Sequence, residues 1–149
     1  MSGLSHIDEG GRARMVDVSD KGVTARTATA RGKLTCMPET LERVRAGTTP
    51  KGAVIQTAEL AGVMAAKRTS ELIPLCHPLP LTHVEVRIDI DGSLPGFRIL
   101  AEARTKAETG VEMEALTAVA VAGLTLFDML KAVDRTMVIG GIEVKSKTK

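Results

Sequence analysis

The sequence contains no tryptophan or tyrosine, and only two phenylalanines. An interior without aromatic bulk must be filled by Val, Leu, Ile, Met and Ala, and stacking of bases on aromatic rings is excluded as a main mode of recognition. Cysteine is scarce too. Cys36 and Cys76 each lie in an apolar or tight segment, no other Cys or closely spaced His completes a zinc pattern, and both read as reduced and structural. No apolar run approaches the roughly 18 residues of a membrane span, and the N-terminus lacks a basic stretch leading into an apolar one. A cytoplasmic chain with no membrane partner is expected. Charge of one sign is also missing. Twenty Lys and Arg against 18 Asp and Glu leave +2, too little for a global field that draws in a nucleic-acid polymer. Any preference for anions must be local.

What is present suits one domain over residues 1–149, since a chain of this size buries roughly 68–70% of its unfolded surface. No repeat, low-complexity block or linker interrupts it. The first 15 or so residues carry Gly3, Gly10 and Gly11 among polar neighbours and read as a flexible arm. Alternation from Val23 to Cys36 predicts a strand. Pro38 opens a short helix that Gly47 ends. A second, broadly apolar and well-buried helix is predicted over Val54–Thr69. Pro74, Pro78 and Pro80 then stiffen a loop presenting Cys76 and His77. Val84, Val86, Ile88 and Ile90 alternate with polar residues, and Phe97–Lys106 pairs back as a hairpin. Thr109 is placed to cap a long helix over Gly110–Val133, and a last strand over Met137–Lys147 has Gly140 and Gly141 as a bulge. The order β-α-α-β-β-α-β predicts an α+β fold. It is a ferredoxin-like antiparallel sheet with helices on one face and the other bare, open to cover by a second subunit.

Several side chains admit both a structural and a chemical reading. Glu112 and Glu114 in the first turn of the long helix suit its positive end. Asp128 and Lys131, three residues apart on one face, form either a plain ion pair or a partly buried acid/base pair whose pKa values are pushed apart. Lys67 and Arg68 complement the end of the second helix or clamp a phosphate. Lys51 sits between Pro50 and Gly52, held in place yet accessible. Arg26 adds positive charge near a strand end. His77, on its stiff mount, is either a structural histidine or a ligand contact, whereas His6 and His83 have no comparable context. Glu114 and Asp128 are about 21 Å apart along one helix axis, so one compact site cannot use both from one helix. Spacing alone also admits a nucleotide-binding regulatory domain or a scaffold that delivers a substrate.

Longer motifs go further. Met15-Val-Asp-Val18, Ala65-Ala-Lys-Arg-Thr69, Leu72-Ile-Pro-Leu-Cys-His-Pro-Leu79, Thr109-Gly-Val-Glu-Met-Glu-Ala-Leu-Thr117, Asp128-Met-Leu-Lys-Ala-Val133 and Met137-Val-Ile-Gly140 occur in order over almost the whole chain. In them the sequence closely resembles the molybdenum cofactor biosynthesis protein C family. The resemblance implies a ferredoxin-like subunit in a homohexamer, a trimer of dimers with active sites at dimer interfaces. It implies a lyase that converts a cyclised dihydroguanosine triphosphate, made by a radical-SAM GTP cyclase, to cyclic pyranopterin monophosphate and diphosphate. By the same resemblance Leu75, Cys76 and His77 form one pocket wall, and Met113 and Glu114, with Glu112, another. Asp128 and Lys131 are the acid/base pair joined by Lys51, and Arg26, Lys67 and Arg68 hold the triphosphate. No cofactor is required on this reading, and no metal ligands are assigned. Mg2+ accompanies the triphosphate if it takes part. The loop departs from the family's usual acidic residue after the glycine, carrying Ala53.

Overall fold

A computed structural model describes residues 5–149. Eight elements follow in order: β1 (Thr24–Thr35), α1 (Pro38–Ala46), α2 (Val54–Ala66), α3 (Thr69–Leu72), β2 (Leu81–Asp91), β3 (Gly96–Ala107), α4 (Glu112–Leu130) and β4 (Val138–Thr148). The strands form one sheet in the order β2-β3-β1-β4, with every pairing antiparallel. That is the α+β, ferredoxin-like arrangement expected from the alternation pattern. The β1–β4 pairing is irregular between Arg31 and Lys33, where β4 passes from Glu143 to Gly140, and Gly141 there has φ 62°, as a bulge requires.

The sheet is two-faced because its strands alternate. Phe97, Ile99, Ala101 and Ala103 of β3 are buried beside Ala28, Ala30 and Leu34 of β1, and the intervening Arg98 and Arg104 are exposed. Helix α4 covers the apolar face, packing on α2 and on β1, β3 and β4. By length and composition α4 is apolar enough to cross a membrane, which the sequence reading overlooked, but more than half of it is buried in the protein core. Small residues let α2 and α4 approach closely: a Cβ on Gly62 would lie 2.9 Å from the Ala118 carbonyl oxygen.

Four sequence expectations need correction. Helix α2 is not buried throughout: Val54, Ala58, Gly62, Ala65 and Ala66 are, whereas Leu60 and Met64 are 60% and 51% exposed, because the small side chains take the contact with α4. Nor does α2 reach Thr69. The Thr69 hydroxyl donates back to the carbonyls of Ala65 and Ala66, competing with the helical ladder, and the chain restarts as the single turn α3. Thr109 does not cap α4. Val111 holds the N-cap position with no side-chain hydrogen bond, and the Glu112 carboxylate folds back over Gly110. Helix α4 also stops at Leu130 rather than Val133. Of the predicted arm, residues 1–4 lie outside the described residues. Residues 6–14 fold into a tight turn closed by an Ile7–Ala13 bridge and an Arg14 N–H to His6 carbonyl bond of 2.7 Å.

Candidate active site

The proline-stiffened loop and the start of α4 meet along a cleft of about 490 Å³. Ile73, Leu75, Cys76, His77 and Leu79 line one side, Thr109, Gly110, Glu112 and Met113 another, and His6, Val16, Val18 and Lys21 close it from the N-terminal segment. The loop is locally ordered, with the Cys76 N–H donating to the Ile73 carbonyl at 3.1 Å. His77 Nε2 contacts the Val16 carbonyl oxygen, so the histidine ties the N-terminal segment to the cleft.

Behind this wall Glu114 is 3% exposed. Its Oε2 accepts from the Cys76 thiol at 3.8 Å, and its Oε1 has no partner. Burial raises the Glu114 carboxyl above its ordinary value. Burial, followed by the Glu114 carboxylate, pushes the Cys76 thiol up to about 11. The pair therefore favours a protonated thiol.

Arg26 borders a neighbouring hollow of about 290 Å³ that shares Gly110 and Glu112 with the cleft. Its guanidinium donates to the carbonyls of Ala107 and Glu108, both at 3.3 Å. Lys147 lines the same hollow and lies 3.8 Å from Glu112. The residue reading passed over Lys147. Its place follows from pairing of β4 with β1, which sets Lys147 opposite Ala28. Lys21 was passed over as well.

A second cluster sits at the far end of α4. Asp128 accepts from Lys51 Nζ at 3.0 Å and from Lys131 Nζ at 2.9 Å, and hydrogen bonds from Lys131 and then Lys51 hold its carboxyl below its ordinary value. The Lys51 loop is shaped by Gly47 and Gly52, with φ 69° and 88°, values that suit glycine. The Thr49 hydroxyl donates to the Gly52 carbonyl at 2.7 Å. Of the two readings of the Asp128–Lys131 pair, one chain shows the exposed ion pair and not the partly buried one: all three side chains are about half exposed. Lys67 and Arg68, also exposed, end α2.

One chain thus brings together Lys51, Asp128 and Lys131, and separately Leu75, Cys76, His77, Met113, Glu112 and Glu114, with Arg26 beside them. It does not join the two groups, because Glu114 and Asp128 sit near opposite ends of α4. His83, passed over earlier, lies 3.7 Å from Glu85 and 3.8 Å from Glu102 on the open sheet face, where Arg104 also pairs with Glu102. Glu112 is the one carboxylate lining the cleft among the described residues, and Asp128 is occupied by two ammonium groups. This set does not fit a dedicated magnesium cage, which needs several oxygen ligands.

Fold and site together define a ferredoxin-like α+β protein with a ligand-sized cleft and a separate cluster of one carboxylate and two lysines. A family model described as the MoaC family matches residues 15–149, and the chain belongs to that family. Among its relatives, a Nostoc protein is 59% identical over 97% of this chain and 86% of its own length. A Methylobacterium protein is 58% identical over 99% and 92%, and a Roseiflexus protein 57% over 99% and 94%. Each bears the name cyclic pyranopterin monophosphate synthase.

Proposed function

We propose that this chain is a cyclic pyranopterin monophosphate synthase of molybdenum cofactor biosynthesis: a lyase that rearranges a cyclised dihydroguanosine triphosphate and releases diphosphate. The observation that carries the site assignment is the Asp128 carboxylate held between the Lys51 and Lys131 ammonium groups. An ionised carboxylate accepts a proton, and two protonated amines donate protons or offset developing negative charge. Ring opening, pyran formation and closure of the cyclic phosphate need such transfers and no electron carrier. Leu75, Cys76, His77, Met113 and Glu112 wall the pterin end, Glu114 backs that wall through Cys76, and Arg26, Lys67 and Arg68 hold the triphosphate. Magnesium, where it takes part, arrives on the substrate.

The chain acts as one domain, in the cytoplasm, as a homohexamer built as a trimer of dimers, downstream of a radical-SAM GTP cyclase. Two features support shared sites. The acid/base cluster and the cleft sit at opposite ends of α4, and Leu60, Met64 and Leu124 expose apolar surface on the helical layer, as buried subunit contacts require. Subunit mixing tests this. Lys51→Ala and His77→Ala are each expected to be inactive alone, and co-assembly restores about a quarter of wild-type turnover if each site draws on two chains. No recovery in verified mixed assemblies counts against shared sites.

A further inference from the structure

Helix α1 begins without a cap of its own. Met37 at its N-cap offers no side-chain acceptor, and Pro38 has no N–H. The missing acceptor comes from 97 residues away, where Asp134 Oδ2 accepts from the Met37 N–H at 2.9 Å and from the Thr40 hydroxyl at 2.7 Å. Its Oδ1 accepts from the Thr136 N–H at 2.8 Å and the Thr136 hydroxyl at 2.7 Å. Asp134 is 1% exposed, and all four of these bonds come from neutral donors. An uncompensated buried carboxylate is costly, but four donors and the positive end of a helix offset that cost.

The position of this carboxylate gives it a reach beyond the turn. On one side, the Asp134 N–H donates to the Leu130 carbonyl at 3.0 Å, fixing it to the end of α4 three residues after Lys131. On the other side, it holds the start of α1, whose far end passes through Gly47 into the Lys51 loop. Helix α1 is held by a short buried stretch, Thr40 and Leu41, with Leu41 in the core and Val44 packed against it, so Asp134 on Thr40 supplies its polar anchor beside that apolar one. We infer that Asp134 is a positioning residue: through Thr40 and Met37 it sets where α1, and so Lys51, stands relative to Asp128 and Lys131. The inference rests on the catalytic reading of those three residues.

Thr40→Val removes the side-chain half of the tie to α1 and leaves only the Met37 N–H on Asp134 Oδ2, whereas Thr136→Val removes a hydroxyl from the other oxygen of the same carboxylate and leaves both α1 bonds in place. Steady-state turnover of the cyclised triphosphate should show kcat falling at least about tenfold for Thr40→Val with KM within about twofold, because the cleft is untouched. Thr136→Val should keep kcat within about twofold, and Thr40→Ser, which restores the hydroxyl, should recover most of the loss. In Thr40→Val a 13C-observed titration of Asp128 should move toward an ordinary carboxylate, as Lys51 is displaced, and in Thr136→Val it should not. Asp134→Asn should behave as Thr40→Val or worse; if it does not fold, the threonine pair decides. Equal losses in the two valine variants, or wild-type kcat in Thr40→Val beside an inactive Lys51→Ala, would overturn this inference alone. A fully active Lys51→Ala overturns the catalytic reading, and the inference with it.

Discussion

The Cys76 thiol donates to the Glu114 carboxylate across 3.8 Å, on the inner side of a wall whose outer side lines the cleft. A thiol pushed up to about 11 is almost wholly protonated at neutral pH, although a cysteine beside a nucleotide site invites a nucleophilic reading. Against an ordinary thiol at 9.0, roughly a hundredfold less thiolate is present. Alkylation of Cys76 by iodoacetamide at pH 8, followed by mass spectrometry, should run at least about tenfold slower than that of free cysteine. Glu114→Gln should accelerate it. Labelling as fast as free cysteine contradicts the pairing.

Glu114 makes a prediction about stability with the sign fixed by its burial. Its carboxyl is raised above 4.5, so between the ordinary and the raised value the folded chain keeps a proton that the unfolded chain has released. Stability therefore falls as pH rises through that window and stays lower above it. Glu114→Gln has no such proton. Its unfolding temperature should depend less on pH between about 4 and 8, and the difference from wild type should shift in favour of the variant as pH rises. Parallel curves for the two proteins would show that burial does not tune this carboxyl.

Gly62 is fixed by packing. Alanine in an open helix gains about 1 kcal/mol over glycine, but here the new Cβ meets the Ala118 carbonyl oxygen at 2.9 Å and Val86 Cγ2 at 3.0 Å. Overpacking of this kind costs about 1–3 kcal/mol, and a backbone oxygen does not step aside cheaply. Gly62→Ala should therefore lower the unfolding temperature by a few degrees, roughly 2–4 °C per kcal/mol. A rise would mean that α2 and α4 adjust freely.

The elements were legible wherever local chemistry dictates them. Val84, Val86, Ile88 and Ile90 alternate and mark β2, Pro38 and Gly47 bracket α1, and Gly140 and Gly141 mark the bulge. What escaped depends on side-chain conformation or on partners distant in sequence. Thr69 ends α2 because its hydroxyl turns back on the helix. Glu114 in a first helical turn resembles any dipole-complementing acid, and only tertiary packing shows that it is 3% exposed. Asp134 serves a helix 97 residues earlier, and Lys147 joins Arg26 through a strand register that no spacing reveals. The cluster of Lys51, Asp128 and Lys131 could be half read: the i, i+3 pair lies in the sequence, but the third member arrives on a loop 77 residues away.

The most direct test is turnover of the purified cyclised triphosphate by wild type, Lys51→Ala and Asp128→Asn, with diphosphate and pterin product both quantified. These side chains are about half exposed, so unfolding temperature and assembly size should stay at wild-type values. Turnover in each variant should fall by at least about 10²-fold, the lower range for a lost general acid or base. Variants that fold, assemble and still form product at the wild-type rate would contradict the claim that this carboxylate and its lysines move the protons.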